Sequence, residues 1–164
     1  GCPAADAGCP AADAGCPAAD AGCPAADAGC PAAELPDDPA AWAAWLAAES
    51  YESWHCDPSP QPPESDSPHG SNVICVNHVL WAARSGSGDY PVGSAAIKVT
   101  YDAAGAKKGH YIDTRLQSTS GSDGWFFYVL GGPSGYGAES QVSFCADCHD
   151  NAGARDYVRR VPVL

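Results

Sequence analysis

The 164-residue chain contains no methionine, and no Lys or Arg precedes Arg84. The first absence removes thioether sulfur from the ligands available to any metal. It also leaves no initiator, so the chain reads as a processed or trimmed product from which any export signal has gone. The second leaves residues 1–83 with 12 acids and no basic side chain, whereas residues 84–164 carry 8 of each, for a net charge of −12. So acidic a chain, without a basic patch, is a poor ligand for nucleic acid or an anionic membrane. No apolar run approaches the roughly 20 residues of a membrane-spanning helix, so no transmembrane segment is expected. Bulky apolar residues are also scarce: 31 residues are Ala and only 3 are Phe, so the 45% hydrophobic content overstates the core. The length suits one domain and a tail.

The tail comprises residues 1–34. Residues 1–28 are four copies of Gly-Cys-Pro-Ala-Ala-Asp-Ala, and a fifth begins at Gly29 and decays at Glu34-Leu35. Pro and Gly in every copy interrupt a continuous helix, and no large aliphatic side chain supplies a coiled-coil seam. The composition fits an acidic low-complexity spacer. Two sharper readings stand beside it. Cys2, Cys9, Cys16, Cys23 and Cys30 would form disulfides within or between chains, giving a homo-oligomer or filament through residues 1–34; alternatively, Cys2 would carry a lipid.

Residues 35–56 hold a predicted helix over 39–55, with Asp38 as N-cap, Pro39 at its first position, and Trp42, Trp45, Leu46 and Trp54 as an apolar stripe. Residues 57–71 are rich in Pro and Ser and read as a loop. Within 72–164, four strands are expected: Val73–Trp81, Ser94–Tyr101, Gly109–Ser118 and Trp125–Leu130, separated by Gly, Ser and Asp clusters. Alternation puts Tyr111, Asp113 and Arg115 on one face, and Ala96, Lys98 and Thr100 on one face opposite Ile97, Val99 and Tyr101. The links are too short for parallel crossovers. The expected class is therefore α+β: a mainly antiparallel sheet with the N-terminal helix packed on one side.

Cys145-Ala-Asp-Cys148-His149 is a CxxCH sequence. Two thiols on one turn suit the two vinyl groups along one porphyrin edge, and the next residue brings an imidazole to the iron, so the pattern points to covalently attached haem c with His149 as metal ligand. The competing readings are half of a zinc site, for which no second such cluster exists, and a redox CxxC, which lacks its βαβ setting. Without Met, a His/Met electron carrier is excluded. The sixth position is then open to a small ligand, or is closed by His55, His69, His78 or His110.

From His69 to Leu164 the chain resembles the cytochrome P-460 family. The matching residues are His69-Gly70, Val73-Ile74-Cys75-Val76-Asn77, Tyr90-Pro91-Val92-Gly93, Ile97-Lys98-Val99, Gly124-Trp125-Phe126-Phe127-Tyr128, the CxxCH motif, Asp156-Tyr157-Val158 and Val161-Pro162-Val163-Leu164. The resemblance implies that 72–164 form a haem domain, mainly antiparallel β and often dimeric, with His149 as proximal ligand. It further implies a covalent link from Lys98 to a porphyrin meso carbon. On residues alone, Lys98 reads as a strand lysine with its stem buried and its head in water. Trp125, Phe127 and Tyr128 would wall the haem or fill the core. The pocket carboxylate of the hydroxylamine-oxidising members aligns with Arg115, and their pocket Arg with Asn72. Asp113, two residues before Arg115 on the same face, would then move protons while Arg115 steadies a bound ligand.

Two classes of function follow. One is a haem oxidoreductase acting on hydroxylamine, NO or peroxide and passing electrons to an external acceptor. The other is a non-catalytic gas-binding or electron-relay module. Thioether attachment places the chain in the periplasm or outside the cell, where disulfides persist. Cys56 and Cys75 flank the Pro-rich loop, and a bridge between them would pin the helix to the first strand.

Overall fold

Six strands pair in the order in which they occur along the chain: β1 (His55–Cys56), β2 (Asn72–Val76), β3 (Ala95–Tyr101), β4 (Lys107–Arg115), β5 (Trp125–Val129) and β6 (Ser134–Tyr136). Every pairing is antiparallel, so the sheet is a meander; the links from β3 to β6 are too short for parallel crossovers, whereas a Pro-rich loop and a short helix span the longer links on either side of β2. The computed structural model describes residues 34–63, 67–151 and 155–162, which belong to the compact unit Ala32–Leu164. The heptapeptide copies and their five cysteines lie outside the described residues, as do the spacer, disulfide and lipid readings made for them.

Strand alternation divides the core in two. On one face Cys75, Ile97, Val99 and Ile112 bury against Trp42, Leu46, Tyr51 and Trp54 of the N-terminal segment. Trp42 stands edge-on to Phe126 and Tyr128, at centroid distances of 5.5 and 5.3 Å, a favoured aromatic geometry. On the other face Ile74, Val76, Ala96, Trp125 and Phe127 pack with Leu80 of helix α2 (His78–Ala83), and with Val142 and Ala146 at helix α3 (Ser143–Asn151). The packing of the N-terminal helical segment on one side of an antiparallel sheet is as expected, and so is the division of side chains along β3 and β4.

Two expected elements are shorter than their sequence pattern. The predicted helix over 39–55 breaks into a 3-10 turn (Pro39–Ala41), α1 (Trp42–Ala47) and a second 3-10 turn (Ser50–Ser53), separated by Glu49 at φ 53°. The spacing explains the break. Trp42 and Leu46 are one helical repeat apart, but Tyr51 follows Leu46 by five residues, off the helical stripe, and all three are buried. The left-handed turn re-aims the chain so that Tyr51 and Trp54 also reach the sheet. Asp38 caps the first turn, its side chain accepting from the Ala40 N–H at 2.9 Å.

The apolar run Val73–Trp81 likewise divides, into β2 and α2. Asn77 ends the strand and caps the helix: its Oδ1 accepts from Leu80 N at 3.0 Å and from Ala95 N at 3.1 Å. Cys56 and Cys75 face each other across β1 and β2 and form the expected disulfide. No helix among the described residues is long and apolar enough to cross a membrane.

Candidate functional site

Antiparallel register sets side chains in rows across the second face of the sheet. Ile74, Lys98, Tyr111 and Val129 form one row; Val76, Ala96, Asp113 and Phe127 form the next. Helix α3 crosses above these rows. Its close approach depends on Gly137, where an added Cβ would lie 2.8 Å from the Ser122 carbonyl oxygen and 3.0 Å from Ala146 Cβ. Between sheet and helix lies a cavity of about 320 Å³, at the lower end of the roughly 300–1,000 Å³ of ligand pockets. Lys98, Tyr111, Asp113 and Phe127 form its sheet wall, Cys145, Cys148 and His149 its helix wall, and His69 reaches it from the loop before β2.

The CxxCH spacing sets both thiols and the imidazole on one and a quarter turns of α3, and all three line this cavity. Cys145 and Cys148 are free, half-buried thiols. Burial, followed by the charge of Asp113, pushes the Cys145 thiol up to about 11. Arg159 Nη1 donates to Cys148 Sγ at 3.4 Å. His149 is 8% exposed and stands edge-on to Phe127, with centroids 5.7 Å apart. Its Nδ1 lies 2.8 Å from the carbonyl oxygen of Tyr157 and 3.4 Å from Asp113 Oδ2. A carbonyl can only accept, so Nδ1 carries the proton and Nε2 is left as the basic nitrogen.

His69 is partly buried, and its ring meets Tyr111 edge-on at 4.5 Å. Burial, reinforced by the nearby Lys98, His149 and Arg159, lowers its pKa to about 4, so it is neutral at pH 7. The other histidines serve elsewhere. His55 stacks on Trp81 at 4.5 Å, His110 Nε2 is 3.2 Å from the Tyr51 hydroxyl on the opposite face, and His78 is an exposed first residue of α2.

Lys98, Asp113, Phe127, Cys145, Cys148 and His149 all line this cavity. Arg115 and Trp125 are not among the residues lining the cavity. Arg115 is 3% exposed and spends its guanidinium on Asp156 through Nη1, on Asp89 Oδ2 at 3.1 Å, and on the carbonyls of Gln117 and Thr119 at 3.3 and 3.2 Å. Trp125 is fully buried and donates its Nε1–H to Asp156 Oδ1 at 3.1 Å. Asn72 is buried; its side chain accepts from Arg160 Nη2 at 3.3 Å and donates to the Gly70 carbonyl at 2.9 Å. His69 is in the sequence one of four equivalent candidate histidines, and only the Asp-Tyr-Val context marks Asp156.

The donor set decides which group fits. Among the described residues, no three His, Cys, Asp or Glu side chains converge as a metal-ligating group, so the cavity lacks the four protein ligands of a structural zinc site. A porphyrin asks for less from the protein: two thiols on one turn, one imidazole of fixed tautomer and apolar walls. Cys145, Cys148, His149, Phe127 and Val129 meet that requirement. No family model, no curated protein and no solved structure matches the chain.

Proposed function

We propose that this chain is a periplasmic or extracellular mono-haem c-type protein that performs redox chemistry on a small nitrogenous ligand, hydroxylamine or NO. The observation that carries the reading is the convergence of Cys145, Cys148 and a tautomer-fixed His149 on one cavity whose facing wall bears Lys98 and Asp113. The resemblance to the cytochrome P-460 family, noted from the sequence, points the same way.

Cys145 and Cys148 would hold a haem by adding their S–H bonds across its two vinyl groups, a step that needs no oxidant. His149 would hold the iron through Nε2, with Nδ1–H committed to the Tyr157 carbonyl. Haem bound there would supply an iron at which a nitrogenous ligand exchanges electrons with an external acceptor. Asp113, whose side chain is 21% exposed, sits where a carboxylate can pass protons between the cavity and water. Lys98 stands in the adjacent row as the amine for a further ring bond. Phe127 and Val129 close the walls. The cysteine repeats of residues 1–34 would join copies into an oligomer or filament.

A second reading, a gas-binding or electron-relay module without turnover, is favoured by one feature: His69 is neutral at pH 7 and borders the same cavity as His149, so it is able to close the sixth position. Intact mass with an optical spectrum of the ferrous protein tests both readings. One haem added to the polypeptide mass, a five-coordinate ferrous spectrum and turnover of hydroxylamine support the first. A six-coordinate His/His spectrum moves the assignment to the second. A colourless protein at the bare polypeptide mass refutes both.

A further inference from the structure

We infer that Asp156, held by Arg115 and Trp125, is the positioning residue that fixes the donor strength of His149. The inference rests on the reading of His149 as iron ligand but concerns residues that do not line the cavity. The nearer acceptor for His149 Nδ1–H is a main-chain carbonyl, that of Tyr157 at 2.8 Å, with Asp113 Oδ2 farther off at 3.4 Å; the direction of the carbonyl is set by local backbone. That backbone is unusual. Asp156 and Tyr157 are consecutive non-glycine residues in the left-handed region, at φ 47° and 66°. Side chains rarely tolerate that conformation, and it persists where surrounding contacts impose it.

Side-chain contacts impose it here. The Asp156 carboxylate collects three donors: Arg115 Nη1 and the backbone N–H of Tyr90 on Oδ2, the latter at 2.6 Å, and Trp125 Nε1 on Oδ1 at 3.1 Å. Both members of its ion pair are buried, with side chains 4% and 5% exposed. One residue earlier, Arg155 donates to the carbonyls of Gly88 and Ala83, at 2.7 Å each. The turn at 155–158 is therefore tied to β4, to β5 and to the segment before Tyr90, and the Tyr157 carbonyl is held against α3. A fixed acceptor at Nδ1–H raises the basicity of Nε2, the effect expected of a partner behind a metal-bound imidazole. Arg115 and Trp125 thereby act on the site through Asp156.

The test is Asp156→Asn in the full chain, which keeps the side-chain shape and removes the charge that gathers these donors. Two readouts are taken on material that carries haem by intact mass: the iron–histidine stretching frequency of the ferrous protein by resonance Raman, and the one-electron reduction potential. With a weaker Nδ1–H bond, the stretch falls to lower frequency. Ferric iron depends on that donation more than ferrous iron does, so the potential rises, by about 59 mV for each tenfold by which the ferric affinity falls more than the ferrous. Removing the Cys56–Cys75 disulfide, on the opposite face of the sheet, lowers stability and leaves both readouts in place. If Asp156→Asn does not fold, Trp125→Phe keeps the ring and removes one donor, and a smaller shift in the same directions is expected. Haem-loaded variants with unaltered stretch and potential overturn the inference and leave the proposed function standing. Absence of haem from the unaltered chain overturns the proposed function, and this inference with it.

Discussion

Arg160 grips the carboxylate of Asp57 with both terminal nitrogens, Nη1 on Oδ1 and Nη2 on Oδ2, at 2.8 Å each, across 103 residues of chain. The Asp57 side chain is completely buried and also accepts the backbone N–H of Ile74 at 2.8 Å, whereas that of Arg160 is 21% exposed. This asymmetry makes a prediction. Arg160→Met leaves an uncompensated buried carboxylate, and is expected to cost about 3–5 kcal/mol in urea unfolding. Asp57→Asn leaves a guanidinium that can still reach water and Asn72, and is expected to cost less. Equal costs would show that the difference in burial between the two partners does not set the penalty.

The Cys56–Cys75 disulfide joins β1 to β2 over a separation of 19 residues. Constraining a loop of that size in the unfolded chain stabilises by about 3 kcal/mol in the chain-entropy model. Replacing both cysteines by Ala should lower the unfolding free energy by about that amount, and the haem mass adduct should remain. Loss of the adduct would mean that the bridge shapes the site as well as the fold.

The legible parts of this chain are those with short sequence range. Alternation along β3 and β4 assigns Lys98 and Asp113 each to a face of its own strand, because the strand period does not depend on distant residues. CxxCH is legible for the same reason: its spacing is local to one turn. Asn77 was hidden inside an apolar run, since its capping role depends on Ala95, 18 residues on. Glu49 gives no sign of a left-handed turn; the burial of Tyr51 and Trp54 imposes it. Alternation puts Arg115 on the same strand face as Asp113, but its partner is Asp156, 41 residues away, and nothing local announces that pair.

The pKa of His69 falls from 6.5 to about 4 on folding, which gives a pH signature. Above pH 6.5 the ring is neutral in both states and its contribution to stability is complete. As pH falls from 6.5 towards 4, the unfolded chain takes up a proton that the folded chain refuses, so stability declines, and below 4 the decline stops. The loss is on the order of 2–3 kcal/mol. The charged groups acting on the ring are Lys98, His149 and Arg159, and Tyr111 packs against it. Urea midpoints at pH 7 and pH 4.5 should differ more for the unaltered protein than for His69→Gln. The same difference in both would remove His69 from the account.

Lys98 lies between Ile74 and Tyr111 in its row and lines the cavity that Cys145, Cys148 and His149 border. If its amine forms a ring bond, an N–H and a ring C–H are exchanged for C–N, and two electrons and two protons leave to an oxidant such as peroxide. A linked ring shifts the ferrous Soret band to the red. A protease digest would then hold the Lys98 peptide in one species with the Cys145–Cys148 peptide. Lys98→Arg keeps a cation on the wall and should retain haem through both thioethers, while the Soret band returns to an ordinary c-type position. A Lys98 peptide recovered free from the unaltered, haem-loaded protein would rule out the link and leave Lys98 as a charged group on the cavity wall.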